Sequence, residues 1–357
     1  MNHGVHALMH PDSTQRGRLI MKPSISLAVA AVAAAFLGAC ITIPGIPTDT
    51  ASALRMNAEK SRASCEAGNV TQCSSVAWAY ERGSSLPQDL AQAERFYLLG
   101  CRSGSTQGCD ALTRFAVKYR EGDRDVPADR AKALALFEHA CSVNDAFGCA
   151  AAGELQESGE AGAKNEKLAL SNYKRACDKG QAWACARIGV RYLNGDGMPR
   201  DTALAAKALS QACDGEELEG CHNFGRMLRD GIEVPRDDAR AFQLFTLSCT
   251  HNYAKRNDAC TDLGDLHAAG RGTPMDKAKG FELWQRACYG GGIAGSPVAC
   301  KKAASAAEKG EGVERNETRD VTAVGLYREG CAYGDKPSCE SERRICKRMG
   351  NPPRLCR

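Results

Sequence analysis

The residues with the most evident chemistry are nineteen cysteines, spread along a chain of 357 residues. Apart from Cys40 they fall into consecutive pairs, most with seven residues between the partners. Cysteines at regular spacing predict disulfides if the chain is exported into an oxidising compartment, and the first 39 residues indicate export. We therefore predict eight local disulfides and a ninth in the tail: Cys65–Cys73, Cys101–Cys109, Cys141–Cys149, Cys177–Cys185, Cys213–Cys221, Cys249–Cys260, Cys288–Cys300, Cys331–Cys339 and Cys346–Cys356.

Metal and cofactor chemistry are disfavoured by the same spacing. Zinc sites use cysteines two to four residues apart, often with histidines, and this chain does not follow that pattern. No two of the four histidines beyond residue 39 share a position relative to the cysteine pairs: His139, His222, His251 and His267. The glycines lack the strand–loop–helix context of a nucleotide site. We predict neither a metal nor a cofactor.

Acyl-transfer chemistry has one candidate motif, the S-x-x-K formed by Ser171 and Lys174. A serine becomes a nucleophile when a lysine or another base accepts its proton and an oxyanion hole is present. No K-T-G follows, and the equivalent positions of another repeat hold Arg95 and Leu98. Ser171 is expected on the outer surface of a helix, so hydrolysis is the alternative function and not the favoured one.

The first 39 residues contain a signal for export, with Met21 as the better start. Lys22 precedes an apolar, alanine-rich stretch at 27–37, which is too short to span a bilayer. Small residues then lead into Cys40, and the cluster resembles the bacterial lipobox, whose cysteine is lipidated and becomes the mature N-terminus. An ordinary signal peptide with an incidental Cys40 is the alternative. If Cys40 carries lipid, an even number of cysteines remains for pairing.

The charge of the mature chain gives no footprint for nucleic acid. Residues 1–39 hold three basic residues and one acidic residue, so 44 Lys and Arg and 42 Asp and Glu remain. A net charge of +2 over such a length provides no phosphate-binding surface. We therefore expect no nucleic-acid partner.

A repeat of about 36 residues runs through the chain, since the first cysteine of each pair recurs at intervals of 36, 39, 40 or 43 residues. A small residue stands eight residues before the first cysteine of each pair, and a large residue stands four before it. The two share one face of a helix, which we call helix B. Four residues after the second cysteine, a helix A carries a small residue, most often glycine: Gly153, Gly189, Gly225 and Gly264. Glycine inside a helix costs about 1 kcal/mol. Its recurrence predicts close approach of a neighbouring backbone.

The turn from helix A to helix B has its own signature, a proline followed two residues later by aspartate, as at Pro199 and Asp201. Proline stops helix A, and the aspartate is placed to cap the N-terminus of helix B. Asp89 and Gln92 could form a reciprocal capping box. The turn of the third repeat, at 159–165, lacks the proline.

These patterns predict an all-α protein, an α/α solenoid of about seven disulfide-stapled helix-turn-helix repeats. The expected segments are a signal peptide (1–39), a lipidated tether (40–49), an N-terminal cap helix (50–64), the solenoid (65–340) and a cysteine-containing cap (341–357).

The combined pattern resembles the Sel-one-like repeat family, most clearly at Ile188-Gly189, Tyr192, Gly195, Gly197 and Asp201. The cysteine pairs are similar to those of its secreted bacterial branch, the Hcp-type cysteine-rich proteins. The likeness covers about residues 65–340. Tetratricopeptide repeats are the near alternative, but their period is shorter and they lack this turn and the cysteines.

The resemblance implies a scaffold that binds a protein or peptide on the curved face of the solenoid. Residues of the central helices A are the candidates for this surface: Arg187, Arg191, Asn223 and Arg226. The Hcp-type branch also implies penicillin binding or weak β-lactam hydrolysis as the alternative. We expect a monomer anchored to the cell envelope, with the outer membrane favoured because Ile41, and not aspartate, follows Cys40.

Overall fold

The computed structural model describes residues 50–102, 105–250, 256–290, 295–313 and 319–349. Contacts divide the chain into Met1–Leu54, of which residues 50–54 are described, and Arg55–Arg357, which holds the helical stack. The described ranges contain sixteen α-helices and no strand. The helices are α1 (Thr50–Glu66), α2 (Val70–Arg82), α3 (Leu90–Cys101), α4 (Thr106–Glu121), α5 (Arg130–Ser142), α6 (Ala146–Ser158), α7 (Glu166–Asp178), α8 (Ala182–Asn194), α9 (Thr202–Asp214), α10 (Leu218–Asp230), α11 (Asp238–Thr250), α12 (Arg256–Ala269), α13 (Lys277–Cys288), α14 (Pro297–Lys309), α15 (Arg319–Ala332) and α16 (Lys336–Arg348).

Even-numbered helices are helices A and odd-numbered helices are helices B, so that seven A–B pairs lie between the half-repeats α1 and α16. Each helix packs against the next in sequence, and helices A also contact one another, as in α2 with α4 and α8 with α10. This confirms the α/α solenoid. The predicted boundary between 340 and 341 falls inside α16, because this helix completes a half-repeat and does not start a separate cap.

The disulfides connect the end of each helix B to the start of the next helix A. All eight local pairs have the predicted partners, and their Cα atoms lie 4.3 to 5.0 Å apart. Cys346 is disulfide-bonded as well. Cys356 lies outside the described residues. Because each disulfide joins consecutive antiparallel helices, it links one repeat to the next.

The recurring glycines of helices A provide space for the large residue of helix B in the same repeat. A Cβ on Gly189 would lie 2.8 Å from Cγ of Leu209, and one on Gly264 would lie 2.7 Å from Nε1 of Trp284. Gly153 has the same relationship to Tyr173, and Gly225 to Phe245. The close neighbour is therefore chiefly a side chain, not the backbone that the sequence pattern suggested.

The turn aspartates cap helices B as predicted. The side chain of Asp201 accepts a hydrogen bond from the amide of Leu204, and Asn165 does the same for Leu168 in the repeat without proline. The capping box at Asp89 is half formed. Its carboxylate accepts from the amides of Ala91 and Gln92, but its own amide donates to the Tyr80 carbonyl, so the Gln92 side chain is not needed there.

Helix α4 is longer than the other helices A, with 16 residues against 13 in α6. The amide of Asp129 donates to the Tyr119 carbonyl, as the amide of Asp201 does to that of Tyr192. Counted back from this turn, Ala116 takes the place of Gly189. Counted from Cys109, the same position would be Thr113; the longer interval to the next cysteine pair shows that residues are inserted, but not that they extend the helix.

Candidate functional site: the helix-A face

Neighbouring helices A are joined by ion pairs, and we call the side of the stack that carries these pairs the helix-A face. In the described residues they span six junctions, all except that between α8 and α10. The pairs are Glu81–Lys118, Arg120–Glu154, Glu157–Arg191, Arg229–Asp262, Asp265–Lys302 and Glu308–Arg344. Each is partly exposed, so it contributes little stability by itself. The series does fix which charges remain for a partner.

Tyrosines of helices B anchor three of these carboxylates. The hydroxyl of Tyr97 donates to Glu81 over 2.7 Å, that of Tyr173 donates to Glu157 over 2.7 Å, and that of Tyr327 donates to Glu308 over 3.4 Å. Burial raises the pKa of Tyr173 to about 12. Each tyrosine therefore stays a donor at neutral pH, and holds the carboxylate that receives the basic residue of the next helix A.

Apolar residues replace the charges at the junction between α8 and α10. Val190 and Leu193 occupy positions five and eight after the second cysteine of their repeat. Asp265 holds the first of these positions in α12, and Arg229 holds the second in α10. Both Val190 and Leu193 are partly buried against the core. The helix-A face thus has an apolar interruption in its central repeats.

A charge cluster that includes the buried His222 lies at the next junction, between α10 and α12. Asp262 contacts Nε2 of His222 at 2.8 Å and Nη1 of Arg229 at 2.6 Å, and Nε of Arg226 lies 3.7 Å away. Burial acts to raise the pKa of Asp262, but the hydrogen bond to His222 and the two arginine charges hold that pKa below its usual value. This cluster joins two helices. It resembles no metal centre, since the described residues contain no group of three or more suitable ligands.

A groove of about 670 Å3 opens on the helix-A face around α6, and we call it the α6 groove. Charged side chains of both signs form its walls: Arg120, Arg130, Arg187, Glu121, Glu154, Glu157 and Glu160. Arg120 is paired with Glu154 and Arg130 with Glu160. Arg187 is exposed, and the described residues place no carboxylate within ion-pair distance of it. It is the cation in this groove that remains for a partner.

The four predicted partner-binding residues do not form one surface. Arg187 lines the α6 groove, and Arg191 binds Glu157 at its edge. Arg226 is exposed, but it belongs to the cluster at Asp262. Asn223 was predicted wrongly as a surface residue, because it is 9% exposed and its amide donates to the Glu219 carbonyl one turn earlier.

The S-x-x-K residues lie on the opposite side of their repeat, on helix B. Ser171 and Lys174 are both exposed on α7, and no hydrogen bond joins them among the described residues. The grooves described on the helix-A face do not include either residue. A nucleophile needs a base within hydrogen-bonding reach, so this geometry gives no support to the motif.

The carboxylates of the helix-A face were not found from the sequence. Glu81, Glu157 and Glu308 each stand eight residues after the second cysteine of their repeat, so this position carried a signal. Their basic partners come from different positions of the next helix A, which hid the pairing. Cys40 and the preceding signal segment lie outside the described residues. No helix within the described ranges has the length and apolar character needed to cross a membrane.

The Sel1 repeat profile matches the chain seven times, at 73–105, 110–145, 146–181, 184–216, 218–253, 257–292 and 297–335. The chain belongs to the Sel1 repeat family. Sel1 repeat solenoids commonly serve as scaffolds for protein interactions. The many disulfides of this chain indicate an oxidising location outside the cytoplasm.

Solved structures of two Sel1-type proteins share this fold. One is a protective antigen of uropathogenic Escherichia coli strains, with 20% identity and a TM-score of 0.59 over 84% of this chain and 62% of that one. The other is a Sel1 repeat protein from Oxalobacter formigenes, with 18% identity and a TM-score of 0.53 over 84% of this chain and 82% of that one. This chain thus spans less than two thirds of the Escherichia coli protein. A comparison with curated proteins found no match.

Proposed function

We propose that this chain is an envelope lipoprotein whose helix-A face binds a protein or peptide partner. The α6 groove carries the proposal, because it joins a cavity of about 670 Å3 to an exposed arginine without an internal carboxylate partner. Charged groups fixed by internal ion pairs surround this arginine. A partner carboxylate would thus meet a preorganised site, and preorganisation reduces the entropic cost of binding.

The stack of repeats supports an extended partner. Each repeat contributes one helix A to the same face, so a chain lying along it meets a new set of side chains at every repeat. The apolar interruption at Val190 and Leu193 lies next to the α6 groove along this face. It would contact an apolar side chain of a partner whose carboxylate is bound by Arg187.

Binding is tested by affinity capture of the mature lipoprotein from its own envelope after crosslinking. The variant Arg187→Glu is compared with Lys174→Glu, which reverses an exposed charge on helix B. We expect Arg187→Glu to lose a partner that the wild type and Lys174→Glu both recover. Equal recovery by all three proteins would contradict the assignment of this face.

The lipid anchor is a separate part of the proposal, and it rests on the lipobox-like residues before Cys40 and on the even number of remaining cysteines. We infer a monomer held at the outer membrane by this lipid. Labelling with a radioactive fatty acid should mark the wild type and spare Cys40→Ser. A label that persists in Cys40→Ser would show that lipid is attached elsewhere.

A further inference from the structure

A second groove lies on the helix-A face at α14, far along the chain from the α6 groove, with a volume of about 460 Å3. We call it the α14 groove. One wall is apolar and formed by Trp284, Val298 and Ala306, and the rim carries Lys301, Lys302 and Lys309. Its combination of an indole with three ammonium groups differs from the mixed charges of the α6 groove.

The apolar wall is rigid. Trp284 packs into the space left by Gly264, and its Nε1 donates to the Thr261 carbonyl over 3.2 Å and to Asp265 over 3.1 Å. Val298 leaves 56% of its surface exposed beside it. An exposed aliphatic side chain beside a fixed indole forms a surface that another apolar side chain can cover.

The positive charge of the rim is largely uncompensated. Lys302 contacts Asp265 at 2.8 Å, and its Nζ lies 5.9 Å from the centre of the Trp284 ring. Lys301 and Lys309 are exposed, and the described residues place no carboxylate within ion-pair distance of either. Glu311, the acid in the groove lining, is held by Lys277 at 3.4 Å. The groove therefore complements a ligand with at least two negative charges.

We propose that the α14 groove binds an acidic peptide segment that places an apolar side chain against Trp284 and Val298. Carboxylates before and after this side chain contact Lys301 and Lys309. A neutral sugar fits less well, because it brings no negative charge to Lys301 and Lys309, and because Asp265 and Glu311 are already paired with Lys302 and Lys277. The proposal extends the proposed function to a second site with its own ligand chemistry.

The fluorescence of Trp284 can report binding once the other two of the chain's three tryptophans are replaced. In the full-length double variant Trp78→Phe/Trp183→Phe, Trp284 is the sole indole. Titration with the blocked pentapeptide Glu-Asp-Leu-Asp-Glu should shift its emission with a saturating curve. The analogue Lys-Lys-Leu-Lys-Lys should give no shift, and replacing the leucine by glycine should weaken binding at least fivefold.

Charge reversal tests the rim. Lys301→Glu/Lys309→Glu should weaken binding of the acidic peptide at least tenfold, while Lys167→Glu/Lys207→Glu on helices B should bind it as the parent does. Circular dichroism checks that each variant is folded.

Three outcomes would overturn the proposal: equal binding of acidic and basic peptides, no saturation at 1 mM peptide, or an equal loss of binding in the control variant. Saturation by polygalacturonate without peptide binding would also overturn it, in favour of an anionic polysaccharide. The capture experiment with Arg187→Glu tests the α6 groove, and its outcome does not affect the peptide titration at the α14 groove.

Discussion

The ring of Phe245 occupies the space that a side chain at Gly225 would need, since a Cβ there would lie 2.8 Å from its Cε1. Phe245 is fully buried and cannot move into solvent. Alanine is a better helix former than glycine by about 1 kcal/mol. At this position the steric conflict should outweigh that gain.

Gly225→Ala is therefore expected to destabilise the protein by about 1 to 3 kcal/mol, the usual range for an overpacked core. The measurement is urea unfolding with the disulfides intact. Adding Phe245→Leu should recover part of the loss, because leucine removes the ring edge. A Gly225→Ala protein as stable as the wild type would show that the two helices can move apart freely.

The disulfides should each stabilise the array in a similar way. Cys213→Ala/Cys221→Ala removes a bridge with a sequence separation of 8. The chain-entropy estimate for so short a loop is about 2.5 kcal/mol, and we expect a loss of that order in urea unfolding. Removing both cysteines leaves no free thiol to mispair. If stability were unchanged, the bridge would not constrain the unfolded chain.

Much of the fold could be predicted from the sequence, because the small and large residues of helices A and B recur at fixed distances from the cysteines. The lengthened α4 could not, since the interval of 40 residues between Cys101 and Cys141 indicates an insertion but not whether it extends helix A or the turn. Three carboxylates of the helix-A face could also have been identified from the sequence, because they stand at the same distance from the second cysteine of their repeat. Their partners could not, because Lys118, Arg191 and Arg344 reach across from a neighbouring repeat, and that depends on how the repeats stack.

The tyrosine anchors predict a dependence on alkaline pH. Tyr173 has its pKa raised by burial to about 12, whereas a tyrosine in the unfolded chain titrates near 10. Its stabilising contribution is therefore fully present below pH 10 and is lost as the pH rises towards 12.

We expect Tyr173→Phe to be less stable than the wild type at pH 9 by about 1 kcal/mol, through loss of the hydrogen bond to Glu157. This difference should shrink and then change sign between pH 10 and 12, because ionisation of Tyr173 favours the unfolded wild type and phenylalanine does not ionise. Parallel stability curves for the two proteins over that range would mean that Tyr173 ionises equally in the native and unfolded states.

The S-x-x-K residues should be dispensable for any β-lactam turnover. Ser171 and Lys174 are exposed on α7, where nothing described holds a base against the serine hydroxyl. Nitrocefin turnover, if measurable in the purified protein, should be the same for wild type, Ser171→Ala and Lys174→Ala. Turnover abolished in a correctly folded Ser171→Ala protein would instead identify Ser171 as a nucleophile.

Binding on the helix-A face is tested most directly by a photocrosslinking residue placed in the native envelope protein. Benzoylphenylalanine at position 187 lies in the α6 groove, and the same residue at position 174 lies on helix B. We predict a defined protein adduct from position 187 on irradiation and none from position 174. Adducts of equal yield from both positions, or an adduct from position 174 alone, would contradict binding through helices A.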